Sequence, residues 1–195
     1  MTTTEYEKKL LNDIVNSILY YDIKKRICSI IVTGSFGRHE ETFEFIDKSF
    51  KLKSDVEIAL VYNSFTSKRY LNNLIENVAS KFEEELNLMS LSRRRISKTH
   101  NFNNTLFTPR YKTLFTYDLY NGSYTIWGEK LIEKLPIRLS EVDKYEAKRI
   151  VANRIAEYIH IENLKKNDNY IKKQWACKIM LSIGSAWLIM HDKYE

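Results

Sequence analysis

The stretch "TGSFGRHEETFEFIDKSFKLKSDVEIALVY", residues 33–62, decides how the chain is read. It continues a short β-branched run, "ICSIIV" (27–32), which reads as a buried strand. A Gly34-Ser35 turn closes that strand. The next one, "DVEIALVY" (55–62), sets Val56, Ile58 and Leu60 on one face. Side chains alternate along a strand, so Asp55 and Glu57 share the other face, roughly 6–7 Å apart. Acids at the head of a buried strand are costly unless something positive sits against them. Between the strands, "FGRHEETFEF" reads as one short helix and "IDKSFKLKS" as a polar connector.

The flanking sequence supplies layers for this pair of strands. Residues 4–20 form an amphipathic helix, with Thr4 and Glu7 spaced for a capping box and Leu10, Leu11, Ile14, Val15, Ile18 and Leu19 on one side. A second helix is predicted over 67–85, and "LNLMSLS" (86–92) as a third strand. Residues 93–110 read as a loop containing Arg93, Arg94 and Arg95. "KTLFTYDLYNGSYTIWG" (112–128) reads as an aromatic hairpin about Asn121-Gly122, followed by a short helix to Leu135 and a break at Pro136. From Ser140 the chain is two helices without a strand signal. The order predicts an α+β fold: a mixed sheet with helices on one face over 1–138, then a helical segment over 139–195.

Composition narrows the class. The 195 residues are 44% apolar and 29% charged, ordinary for a globular chain, and the net charge of +6 permits nucleotide or nucleic-acid partners without demanding them. Cys28 and Cys177 are the only cysteines and have no histidine at ligand spacing, so neither a disulfide framework nor a zinc site is expected. The polar N-terminus is unlike a signal peptide. "IMLSIGSAWLIM" (179–190) is too short to span a bilayer and reads as a buried helix. A cytoplasmic protein without membrane segments is the expectation.

Two carboxylates at this spacing suit hard divalent cations. Mg²⁺ takes one or two carboxylates together with substrate phosphates, and a pair of ions can clamp an in-line phosphoryl displacement. The turn fits the same chemistry. Gly34 lets backbone approach a phosphate, Ser35 adds a hydroxyl, the amides that follow face an anion, and Arg38 can neutralise a leaving pyrophosphate. "GSFG" is not a Walker loop, because no Lys-Ser/Thr follows.

"TGSFGR" followed by "SDVEIALVY" resembles the nucleotidyltransferase superfamily that includes DNA polymerase beta, CCA-adding enzymes and aminoglycoside nucleotidyltransferases. Later segments, "YDLYNGSYTIWGEKL" and "WACKIMLSIGSAWLIMHDKY", are similar to prokaryotic members with a helical tail. The resemblance implies that Gly34, Ser35 and Arg38 bind the nucleotide and that Asp55 and Glu57 hold two Mg²⁺ ions. It also implies a third acid on a neighbouring strand, for which Asp118 is the candidate metal ligand and base. The implied activity is transfer of a nucleoside monophosphate from a nucleoside triphosphate to an acceptor hydroxyl on a small molecule, a protein or RNA. Two departures stand out: a longer connector from Ser35 to Asp55, expected as a surface insertion, and His39 where related "GSFGRGE" sequences carry glycine. The alternatives are a nucleotide- or RNA-binding module of the same fold without turnover, and an interaction protein. The C-terminal helices leave room for a partner subunit or a dimer.

Overall fold

The computed structural model describes residues 3–46, 49–63, 65–82, 86–94, 96, 113–132, 137–164 and 169–194. The chain divides into two compact units. One comprises Met1–Arg110 and Asp118–Pro136, the other Tyr111–Tyr117 and Ile137–Glu195.

In the first unit, α1 (Thr3–Tyr21) leads into β1 (Ile27–Thr33), and a single helical turn, α2 (Gly34–Gly37), follows at once. A ribbon of β2 (Phe43–Ile46) and β3 (Ser49–Leu52) precedes β4 (Val56–Tyr62). Then come α3 (Lys68–Ala79), β5 (Leu86–Ser92), the end of α4 (Leu114–Asn121), whose residues up to Tyr117 belong to the second unit, and β6 (Tyr124–Gly128). The main sheet is mixed, in the order β5-β4-β1-β6: β1 runs antiparallel to β4 and β6, and β5 runs parallel to β4.

The core explains why the sheet has this sidedness. Ile30, Val32, Val56, Ile58 and Leu60 pack with Leu10, Leu11, Ile14 and Ile18 of α1 and with Leu71, Leu74 and Val78 of α3, all buried. Each of those side chains removes apolar area worth ~1.5–3 kcal/mol from water, so the alternation of both strands is firmly set. The residues between them, including Asp55 and Glu57, therefore belong to the face away from α1 and α3. Ser67 begins α3 as its N-cap, its hydroxyl accepting from the Tyr70 amide at 3.3 Å.

Three local expectations fail. The connector from Ser35 to Asp55 is not a helix with a polar tail: α2 lasts one turn, and the remainder is the β2–β3 ribbon, with Phe43 opposite Leu52. Thr42 and Ser54 close its base, the Thr42 amide donating to Ser54 Oγ at 2.9 Å. The ribbon returns the chain to Asp55, with Leu52 packed against the core and the Phe43 ring edge-on to Tyr6 of α1. Second, the expected hairpin over 112–128 is a helix, a turn and one strand, because residues 114–121 form α4. Third, Thr4 already lies inside α1 and is not the N-cap of a capping box; the Glu7 carboxylate instead bonds Tyr124 of β6.

In the second unit, α5 (Tyr145–Leu164) and α6 (Asn169–Met190) pack on each other. Leu114, Val142, Ala147 and Ile189 form a small core with Tyr117, Leu139 and Ala186 around it. Buried Glu146 accepts from the Leu114 amide at 2.9 Å and pairs with Arg149. The segment expected as a buried helix is helical but largely exposed, with Met180 at 69% and Leu181 at 72%. Two packed helices cover only one side of each, so an evenly apolar α6 cannot bury all its faces. Among the described residues, no helix is long and apolar enough to cross a membrane.

Candidate active site

Antiparallel pairing of β1 with β4 brings the end of one strand to the head of the other, with Thr33 opposite Glu57. Gly34 follows directly with φ +65°. That left-handed conformation favours glycine, and here the fit is also steric. A methyl group on Gly34 would overlap Glu57 Oε2 and lie 2.7 Å from its Cδ. The turn and the Glu57 carboxylate thus share one site, built by strand register.

Asp55 stands one residue before β4 and is half-buried. Its Oδ2 accepts a 2.8 Å hydrogen bond from the Asn87 side-chain amide. Asn87 lies on β5 directly opposite Glu57 in the parallel ladder. The sequence reading missed this residue. Its signal was a lone polar side chain between Leu86 and Leu88 at the head of a predicted strand, the same polar–apolar alternation as "DVE".

Ser35 is the second residue of α2, whose N-cap is buried Thr33. Arg38 ends that turn with its Nε 2.8 Å from Glu40 Oε2, and its side chain passes beside Gly122. The Arg38–Glu40 pair is substantially exposed, a class of ion pair that contributes ~0–1 kcal/mol, so the pair itself does little to hold Arg38 in place. His39 has φ +56°. That left-handed conformation favours glycine, and His39 carries it as a strained residue. Its ring stacks on Tyr124, with centroids 5.5 Å apart and planes 18° from parallel.

Asp118 is the correction. It lies in α4, not on a strand beside β4, and the Asp118 carbonyl accepts from the Gly122 amide and from Ser123 Oγ. Among the described residues, no three Asp, Glu, His or Cys side chains gather as a metal-holding group, so Asp118 is not brought together with Asp55 and Glu57. The neighbour on the adjacent strand is an amide, Asn87. Of Arg93–Arg95, the first pairs with Glu129 at 2.7 Å; Arg95 and the loop beyond residue 96 lie outside the described residues.

The described residues thus set a Gly-Ser turn against an acid pair at the head of the adjoining antiparallel strand of a mixed sheet. No protein-family model and no curated protein matches the chain. Among solved structures, the chain is similar to the spectinomycin adenyltransferase AAD(9) from Enterococcus faecialis with ATP and spectinomycin. The TM-score is 0.49 at 11% identity, covering 95% of this chain and 97% of that one. It is also similar to a toxin–antitoxin structure with AMP-PNP, with a TM-score of 0.39 at 14% identity over 80% of this chain and 91% of that one. A third is the tri-AMPylated Shewanella oneidensis HEPN toxin in complex with MNT antitoxin, with a TM-score of 0.33 at 12% identity over 85% and 93%.

Proposed function

We propose that the chain binds a nucleoside triphosphate as its Mg²⁺ complex and moves the nucleoside monophosphate to an acceptor hydroxyl, releasing pyrophosphate. The observation that carries this reading is the Glu57 carboxylate set against Gly34, on the same strand face as Asp55. Hard oxygen donors suit Mg²⁺, which is satisfied by one or two carboxylates, water and phosphate oxygens. Asp55 and Glu57 supply those two, and the Asn87 amide engages only Oδ2 of Asp55. When bound, Mg²⁺ would neutralise the triphosphate and polarise the reacting phosphorus. The second ion expected from the sequence lacks a third acid among the described residues, so the pair is assigned one.

The chain's own groups do the positioning. Gly34 presents backbone without a side chain in the way, and the Ser35 hydroxyl can donate to a phosphate oxygen. Arg38, exchanging Glu40 for the departing pyrophosphate, neutralises its charge. Orientation and fixed electrostatics are the main contributions such a site makes. The acceptor belongs to a small molecule, a protein side chain or an RNA end. The apolar residues exposed on α6 are the place for a partner subunit or dimer contact, and sedimentation velocity distinguishes monomer from dimer.

Pyrophosphate release, measured nucleotide by nucleotide with each acceptor class present, tests the reading. Release that requires Mg²⁺ and disappears in Asp55→Asn supports it. Release unaffected by Asp55→Asn contradicts it.

A second reading has its own observation. With Asn87 opposite Glu57 on β5 and Asp118 in α4, the described residues place no third acid with Asp55 and Glu57. Such a site favours nucleotide binding without turnover. Tight Mg²⁺-dependent binding with no release in any acceptor set would select it.

A further inference from the structure

The face of the sheet that carries α1 holds a second site. An open cavity of about 550 Å³ lies between α1, the chain after α2 and the edge strand β6. Leu11 and Ile126 give it an apolar floor, and the stacked rings of His39 and Tyr124 make one wall. Glu7 and Glu41 bring two carboxylates into it. Leu11 belongs to the core beneath the helices, and Tyr124 and Ile126 pack against that core. Asp55 and Glu57 occupy the opposite strand face, so this cavity is separate from the proposed nucleotide site.

One carboxylate oxygen here is left without a donor. Glu7 bonds the Tyr124 hydroxyl, whereas Glu41 Oε2 is shut off from solvent and has no hydrogen-bond partner. Burying a carboxylate oxygen without a donor is costly, and such groups call for an unseen partner. Burial, and then the charge of Glu41, push the Glu7 carboxyl above its ordinary range, which marks the two acids as electrostatic neighbours. Lys8 also lines the cavity, yet no ion pair joins it to Glu7 or Glu41. Lys8 and His39 are the positive groups beside the two acids, His39 drawing the Glu7 carboxyl down, yet among the described residues no group donates a hydrogen bond to Glu41 Oε2. Two carboxylates, an aromatic wall and an apolar floor are the elements that recognise an ammonium group on an apolar body.

We infer that the cavity between α1 and β6 binds a small organic ammonium ion, its nitrogen donating to Glu41 and Glu7 and its apolar portion resting on Leu11 and Ile126. The site is independent of the nucleotide reading, because none of its residues is assigned to phosphate or metal.

Tryptamine and hexylamine serve as probes, with indole-3-propionate and hexanoate as anionic counterparts of similar shape. Titration calorimetry on the full chain, without nucleotide, reads binding directly. The expected result is saturable binding of an amine at one site per chain, no saturable binding of either acid, and about tenfold or greater weakening in Glu41→Gln. Thermal unfolding separates loss of the site from loss of the fold. Glu41→Gln keeps the shape of the side chain and should melt no lower than wild type, while saturating amine raises the wild-type midpoint more than that of the variant. No amine binding, equal binding of amines and acids, or wild-type affinity in a folded Glu41→Gln protein would each overturn the inference.

Discussion

The Glu57 carboxylate occupies the space that any side chain on Gly34 would need, so the turn and the acid are fixed by the same register of β1 against β4. Gly34→Ala therefore carries two penalties. Alanine at φ +65° costs roughly 1–2 kcal/mol, and its methyl displaces the carboxylate. The expected outcome is a lower urea midpoint with an unchanged m-value, together with loss of Mg²⁺-dependent nucleotide affinity. Wild-type stability in this variant would mean that the turn relaxes without strain.

Asn87 is the residue through which the two functional readings part. Asn87→Asp replaces an amide beside Glu57 with a carboxylate, adding the third acid that the described residues do not place there. Pyrophosphate release should then rise by roughly 10²-fold, the scale of general-base catalysis. Unchanged release would show that the acceptor needs no base from β5.

Asp118→Asn should alter Mg²⁺–nucleotide affinity by no more than about twofold, as for a substitution outside the binding group. This reverses what the strand assignment implied. A loss comparable to that of Glu57→Gln would return Asp118 to the site.

Much of this arrangement was legible from residues alone. The alternation of "ICSIIV" and "DVEIALVY" set the faces of β1 and β4, since both strands bury one side against α1 and α3. The α4 segment was not. "LFTYDLYN" is aromatic and strand-like, and a helix there depends on partners distant in sequence, with Glu146 accepting from the Leu114 amide 32 residues away. Thr113 gave a local cue, its hydroxyl accepting from the Thr116 amide at 3.2 Å, but the Asn121-Gly122 pair outweighed it as a hairpin signal. Asn87 escaped because an amide carries no charge to mark it.

Glu7 gives a pH dependence with a definite sign. Burial and Glu41 raise its folded pKa above the ordinary value of 4.5, so the folded chain holds this proton more tightly than the unfolded one. The contribution to stability is full below the ordinary value and is lost as pH rises through the raised folded value. Glu7→Gln keeps a hydrogen-bonding group for Tyr124 and removes the titration. The melting temperature of wild type relative to this variant should fall as pH rises through the mildly acidic range. A constant difference across that range would contradict the assignment.

The central claim is that the Gly34-Ser35 turn and the Asp55/Glu57 pair form one Mg²⁺–nucleotide site. Calorimetric titration of ATP and the other nucleoside triphosphates, with Mg²⁺ and with chelator, into wild type, Asp55→Asn and Glu57→Gln addresses it most directly. The account predicts saturable binding of a triphosphate that requires Mg²⁺ and is lost in both variants, with unfolding free energies within about 0.5 kcal/mol of wild type. Binding indifferent to Mg²⁺, or retained at full affinity in both variants, would contradict it.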